Sequence, residues 1–284
     1  MLNLNIRMTN DCNMNCSFCH LKEDMKNKKK IDIVSFADYY IQEKLNNGIE
    51  FSSFTISGGE PLLHIKELEN LLNVLLKYDN DGEKSIQIMT NGTFIDNAFV
   101  KTFNEFENIS FVISFDNTDN KDIYNLCNMS PFGLSVLNSI SNLKNKKIRI
   151  VIDNFRDDLF ELKTYQLYTA LQKPRVQIAL NYEKVKDLTI EDAYYLVRSI
   201  ERFKQLDMYY MVDFTHLFHH NCNCSNSKII TPQGETLQTA DKYGSPFETY
   251  GCSNLINRGM SLELYKVFAR LIDASKIPSE FIED

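Results

Sequence analysis

The segment Cys12-Asn-Met-Asn-Cys16-Ser-Phe-Cys19 places three thiols close together near the start of the chain. An odd, crowded set of cysteines cannot pair off among itself and favours a shared soft metal over disulfides. Thiolates select zinc or an iron–sulfur cluster. A closed zinc site needs a fourth ligand, and His20, directly adjacent to Cys19, is badly placed to supply it. A cubane has four irons, so three thiolates leave one open to an outside ligand, the position catalysis would use.

Further polar clusters follow. In Gly58-Gly59-Glu60-Pro61 the glycines let backbone approach a ligand closely and Pro61 fixes the exit direction, although an ordinary strand-to-helix turn uses the same string. Thr90-Asn91-Gly92-Thr93 is a small polar turn that serves a ligand or a helix cap. Ser114 and Asp116, two residues apart at the end of an apolar run, share one face of a strand; helix capping is the other use for Asp116. Asp153 and Asn154 end a later apolar run, with no motif around them.

The CxxxCxxC spacing, with aromatic Phe18 before its last cysteine and a GGE string downstream, resembles the radical S-adenosylmethionine (SAM) superfamily. The resemblance implies that Cys12, Cys16 and Cys19 hold a 4Fe–4S cluster whose open iron chelates the amino and carboxylate groups of SAM. One-electron reduction then cleaves a carbon–sulfur bond and releases a 5'-deoxyadenosyl radical. It also implies that Phe18 packs on the adenine and that the turn Gly58, Gly59, Glu60, Pro61 meets the SAM amino group through its main chain. Asn91 would lie near the cofactor, and Ser114 and Asp116 would face its ribose or methionine portion.

The elements that must position these residues are legible in the periodicity. Leu2, Leu4, Ile6 and Met8 alternate as a strand that ends where the cysteine loop begins. A helix is expected over Ile33–Leu45, with Phe36, Tyr39, Tyr40 and Ile41 as its buried stripe. A strand over Phe51–Ser57 leads into the GGEP turn. Then come a helix carrying Ile65, Leu68, Leu71, Leu72 and Leu75, a strand Ser85–Thr90, a helix carrying Ile95, Phe99, Phe103 and Phe106, and a strand from Ile109 to Ser114. Two more helix–strand pairs end in strands at Ile148–Ile152 and Val176–Leu180. Alternation of this kind predicts an α/β protein with a parallel sheet, and each polar cluster falls at a strand's C-terminal end, the active-site face of such barrels. The resemblance refines this to a partial (β/α)6 TIM-like barrel over residues 1–185, with a small C-terminal α+β extension over 186–284. That extension is predicted to hold a helix with Tyr194, Val197 and Phe203, a strand-like run Met208–Phe214, and a hairpin across Lys228–Leu237 turned by Pro232 and Gly234.

The remaining cysteines leave alternatives open. Cys127 sits in a polar stretch, where a buried inert thiol is the default. Cys222, Cys224 and Cys252 flank the hairpin, with His219 and His220 beside the first pair. A cysteine followed by an I-x-P-x-G hairpin resembles the twitch module and its longer relative SPASM, found in radical SAM enzymes that modify ribosomally made peptides. The chain departs from that pattern where a cysteine usually follows, because Gln238, Thr239 and Ala240 stand there. Cys222, Cys224 and Cys252 are therefore candidates for an auxiliary iron–sulfur cluster or a zinc site, and Cys127 and Cys222 for a thiol that donates hydrogen to a substrate radical.

Composition sets the outer bounds. With 284 residues, 43% hydrophobic and 24% charged, the chain can bury a large core. A net charge of −7 opposes a protein that grips long nucleic acid by neutralising phosphates. Lys26–Lys30, interrupted only by Asn27, reads as a solvated loop. No apolar run spans a bilayer and no secretory signal is visible, so a cytoplasmic location without membrane contact is expected. The expected function is a radical SAM enzyme that modifies a ribosomal peptide by crosslinking or epimerisation, with a flavodoxin- or ferredoxin-type electron donor. Action on a small molecule or nucleotide is the alternative within the family, and a non-catalytic iron–sulfur or zinc protein the alternative outside it.

Overall fold

The structure, a computed structural model, describes residues 2–16, 19, 21, 26, 30–79, 82, 84–116, 131–152, 156, 160–180, 187–208, 212–213, 227–238, 264 and 266–267. Strand β1 (Leu2–Thr9) buries Leu4, Ile6 and Met8 on one face. The alternating Asn3, Asn5 and Arg7 take the other face. The same alternation builds β2 (Phe51–Gly58), β3 (Ser85–Thr90), β4 (Ile109–Asp116), β5 (Lys146–Ile152) and β6 (Arg175–Leu180). Between and after them lie α1 (Ile33–Asn46), α2 (Ile65–Lys77), α3 (Asn97–Phe103), α4 (Pro131–Asn142), α5 (Phe160–Ala170) and α6 (Ile190–Gln205). Three short strands complete the set: β7 (Val212–Asp213), β8 (Ser227–Ile230) and β9 (Thr236–Gln238).

Among the described residues the nine strands share one sheet in the order β7-β6-β5-β4-β3-β2-β1-β8-β9. Every pairing is parallel except the β8–β9 hairpin. The expected partial (β/α)6 barrel is therefore present. Parallel neighbours need crossovers, and the helices that provide them cover one face of the sheet with a single core. In α2 that core receives Leu68, Leu71, Leu72 and Leu75, all nearly fully buried and each stabilising by about 1.5–3 kcal/mol. Phe111 of β4 meets the rings of Phe99 and Phe103 of α3 edge-on at 5.2 and 5.4 Å.

Several local expectations shift. In α1 the buried stripe is Ile33, Ala37, Tyr40 and Ile41, while Tyr39 is 67% exposed, because one helical step carries it about 100° off that stripe. Helix α3 starts at Asn97, since the Asp96 carboxylate accepts from Phe99 N at 2.8 Å and caps it; Ile95 and Phe106 flank the helix. Tyr194 and Val197 lie on the outer side of α6, which buries Ala193, Leu196, Ile200 and Phe203 instead. Within the run 208–214, only Val212–Asp213 forms a described strand, and Met208 is buried in the core. The hairpin forms as expected, and β8 pairs in parallel with β1 at Asn3–Ile6.

Candidate cofactor site at the strand ends

At the end of β1 the register against β2 shifts between Arg7 and Thr9, and the chain leaves the sheet as the cysteine loop. The exit of β2 runs along it: Gly59 N donates to Thr9 O at 2.8 Å and Glu60 N to Asp11 O at 2.7 Å. A Cβ on Gly58 would stand 2.3 Å from Thr9 O, and one on Gly59 2.1 Å from Asp11 O. Gly58 also has φ of +141°, a conformation that side chains disfavour. The sequence suggested close approach of this backbone to a ligand. The approach seen here is to the root of the cysteine loop, which the two glycines hold against β2.

Glu60 is fully buried, and its carboxylate joins two turns. Oε1 accepts from Leu62 N at 3.0 Å and from the Thr90 hydroxyl at 2.7 Å, while Oε2 accepts from Asn91 N at 2.7 Å. Burial pushes its pKa above the usual carboxylate value, against the pull of these three donors. Pro61 begins the 3-10 turn 61–64 that Glu60 caps, and is itself buried. The Thr90–Thr93 turn in turn grips the cysteine loop. Asn91 Nδ2 donates to Asn13 Oδ1 at 2.8 Å, and Asn13 Nδ2 donates to Thr93 Oγ1 at 3.0 Å. This turn does not cap α3, a task that Asp96 performs.

Cys12, Cys16 and Cys19 are partly exposed and none is in a disulfide. Cys12 Sγ accepts from Met14 N at 3.4 Å, and Cys19 N donates to Cys16 O at 3.2 Å, which folds the loop back on itself. Burial, with Glu60 and Cys19 nearby, pushes the Cys12 thiol above its usual pKa, while Met14 N–H and the Asn91 side chain oppose the shift. Among the described residues no three Cys, His, Asp or Glu side chains converge to hold one metal ion. A cubane asks for less convergence, because each thiolate takes its own iron. Three thiols outside any disulfide on one short loop, anchored at Thr9, Asp11 and Asn13, fit that group.

Ser114 lies on the face of β4 opposite the buried Ile113 and Phe115, level with Arg149 of β5, which is level with Gln177 of β6. Arg149 Nε is buried and has no hydrogen-bond partner among the described residues, so this polar row offers a charged donor to an anionic group. Asp116 is next but one along β4, and its side chain lies outside the described residues, as do Phe18, His20, Cys127, Asp153, Asn154, His219, His220, Cys222, Cys224 and Cys252. Asn13 and Arg149 were missed from the sequence. Asn13 sits inside the CxxxCxxC string, the only signal that could have found it, whereas a strand arginine carries no mark of what it faces. Asp11, beside Cys12, pairs with Lys30 and with His64 Nε2 at 3.0 Å, so the loop is also held from the α2 side.

The fold and these strand-end turns define an open α/β barrel whose mouth carries a thiol-rich loop. The Radical SAM superfamily model matches residues 6–156, over half of the chain, and the chain belongs to that superfamily. The family implies SAM and a 4Fe–4S cluster. A GTP 3',8-cyclase of Campylobacter jejuni is 30% identical over 162 residues, covering 55% of this chain and 48% of that protein. The chain spans about half the length of the relatives it matches in sequence. Among solved structures, native anSMEcpe with bound AdoMet and Cp18Cys peptide superposes with a TM-score of 0.61 at 19% identity, covering 98% of this chain and 84% of that one. Streptococcus suis SuiB bound to precursor peptide SuiA gives 0.56 at 17% identity, covering 93% and 66%. At these identities the likeness is one of fold.

Proposed function

We propose that this protein reductively cleaves SAM and uses the product radical to abstract hydrogen from a ribosomally made peptide, leading to a crosslink or an epimerised centre. The observation that carries the proposal is the interlock of Glu60 with Thr90 and Asn91, and of Asn91 with Asn13, which holds the cysteine loop over the mouth of the barrel. When bound by Cys12, Cys16 and Cys19, a 4Fe–4S cluster supplies the electron that splits SAM into methionine and the 5'-deoxyadenosyl radical. The chain's own residues do the positioning. The N–H groups of Gly59 and Glu60 are engaged by Thr9 and Asp11, so what the turn offers an ammonium is its carbonyl oxygens. Arg149 and Ser114 present donors to a carboxylate or a ribose. Substrate enters at the same strand ends, and a flavodoxin- or ferredoxin-type protein delivers the electron.

The peptide substrate is supported by the fold shared with anSMEcpe and SuiB, both solved with peptides, and by the hairpin that joins the sheet beside β1. A nucleotide substrate is supported by the GTP 3',8-cyclase relatives, and is the second reading. Cys222, Cys224 and Cys252 are proposed to hold an auxiliary cluster or zinc, and residues 186–284 to form the substrate side of the mouth. Anaerobically reconstituted protein given SAM and dithionite should yield 5'-deoxyadenosine, and Cys16→Ala should abolish it. Cleavage retained by Cys16→Ala would refute the cluster assignment. Deuterium passing into 5'-deoxyadenosine from a labelled candidate peptide supports the peptide proposal, and passage from labelled GTP instead replaces it.

A further inference from the structure

The opposite end of the barrel carries a second site. Where β3, β4, β5 and β6 begin, a cavity of about 510 Å³ opens among the connecting turns, within the size range of ligand sites. Among the described residues its lining holds five cations, Lys84, Lys144, Lys146, Lys147 and Arg175, and one carboxylate, that of Glu107. In a chain of net charge −7 these five cations make a local positive patch.

The cations differ in what already holds them. Lys146 donates to Ser141 O and Leu143 O, both at 2.8 Å, and Lys84 stands 4.0 Å from Asp79. The side chains of Lys147 and Arg175 make no hydrogen bond or ion pair among the described residues, although the β5–β6 register sets them side by side. They lie on the sheet face turned away from the helices, since the alternate positions Ile148 and Val176 are buried in the core. Ser110, on the same face of β4, has a buried hydroxyl with no partner among the described residues, and it lines the cavity. Lys147 and Arg175 are thus adjacent cations with no counterion among the described residues, beside a hydroxyl that is unsatisfied among those residues.

The shape of the array selects the ligand. Four strand starts spaced about 4.8 Å apart spread the charge over about 14 Å. Among the described lining residues no helix N-terminus gathers N–H groups at one point, so the positive charge is spread along the rim and not focused on one compact anion. Aromatic rings are absent from the described lining residues, which offer a nucleobase no stacking surface. We infer that this rim binds an extended acidic peptide segment, about four or five residues of which cross the strand starts with carboxylates on Lys147 and Arg175. The rim and the cysteine loop occupy opposite strand ends, so this site stands or falls separately from the reaction proposed above.

The test is anisotropy titration of the full chain with fluorescein-labelled hexaglutamate, beside hexaglutamine and tripolyphosphate. Hexaglutamate should bind and hexaglutamine should not, with binding weakened by salt between about 50 and 300 mM. The double variant Lys147→Glu with Arg175→Glu should weaken binding at least about tenfold, and Cys12→Ala should leave it unchanged. Circular dichroism checks that the double variant folds; Lys147→Gln with Arg175→Gln, which adds no repulsion, should show the same direction of loss. Equal binding of hexaglutamine, tripolyphosphate binding without hexaglutamate binding, or indifference to both double variants would overturn the inference.

Discussion

Glu60 and Asn13 show how single side chains assemble the mouth of the barrel. Glu60 presents two acceptor oxygens to three donors, and a carboxylate is the one side chain of that length that can accept from all of them. Glu60→Gln keeps the shape but turns one acceptor into a donor facing either Asn91 N–H or Leu62 N–H. A buried donor left without an acceptor costs about 1–3 kcal/mol. Urea unfolding at neutral pH should show a loss of that size, together with reduced iron uptake on reconstitution because Asn91 no longer steadies Asn13. A variant as stable as the parent would mean that Glu60 does not tie the turns together.

Among the elements, the β1 and β2 ends form one unit, with the ladder continuing past both strands through Gly59 N–H and Glu60 N–H. The glycines are needed for contact between two backbone segments, so the penalty for a side chain is steric and local. Gly59→Ala places a methyl group at 2.1 Å from Asp11 O, backbone that cannot swing aside. The cysteine loop must shift, and cluster loading and SAM cleavage should fall by about tenfold or more, since small misplacement at a reacting centre is expensive. Gly48→Ala, where no atom lies within 4 Å of the added carbon, is the control; its strain is confined to its own φ of +75°. Equal losses in both variants would remove the steric explanation.

For the whole molecule, the hairpin connects the far end of the chain to its beginning. Ile230 is fully buried beside β1, Ile31 N donates to Pro232 O at 2.9 Å, and Gly234 packs against the Ile31 side chain. The segment just after the cysteine loop is thereby held by residues some two hundred positions away. No helix among the described residues is long and apolar enough to cross a membrane. Ile230→Ala should destabilise by about 2–5 kcal/mol, read as a lower urea midpoint. If the hairpin folded independently of the sheet, the main transition would not move.

Strand and helix order, the parallel sheet and the strand-end position of the cysteine loop were all legible in the sequence, because alternation and helical periodicity are local properties of neighbouring residues. The three cysteines and the GGE string stand out in the sequence for a related reason: residue type and spacing are local as well. Tertiary structure alone decided that Gly58 and Gly59 press on Thr9 and Asp11, that Glu60 reaches the Thr90 turn, and that Asp96 rather than that turn caps α3. It likewise set Lys147 beside Arg175 and β8 beside β1. Each of these is a contact between residues distant along the chain, fixed by sheet register and close packing, and no local pattern encodes which strand will become a neighbour.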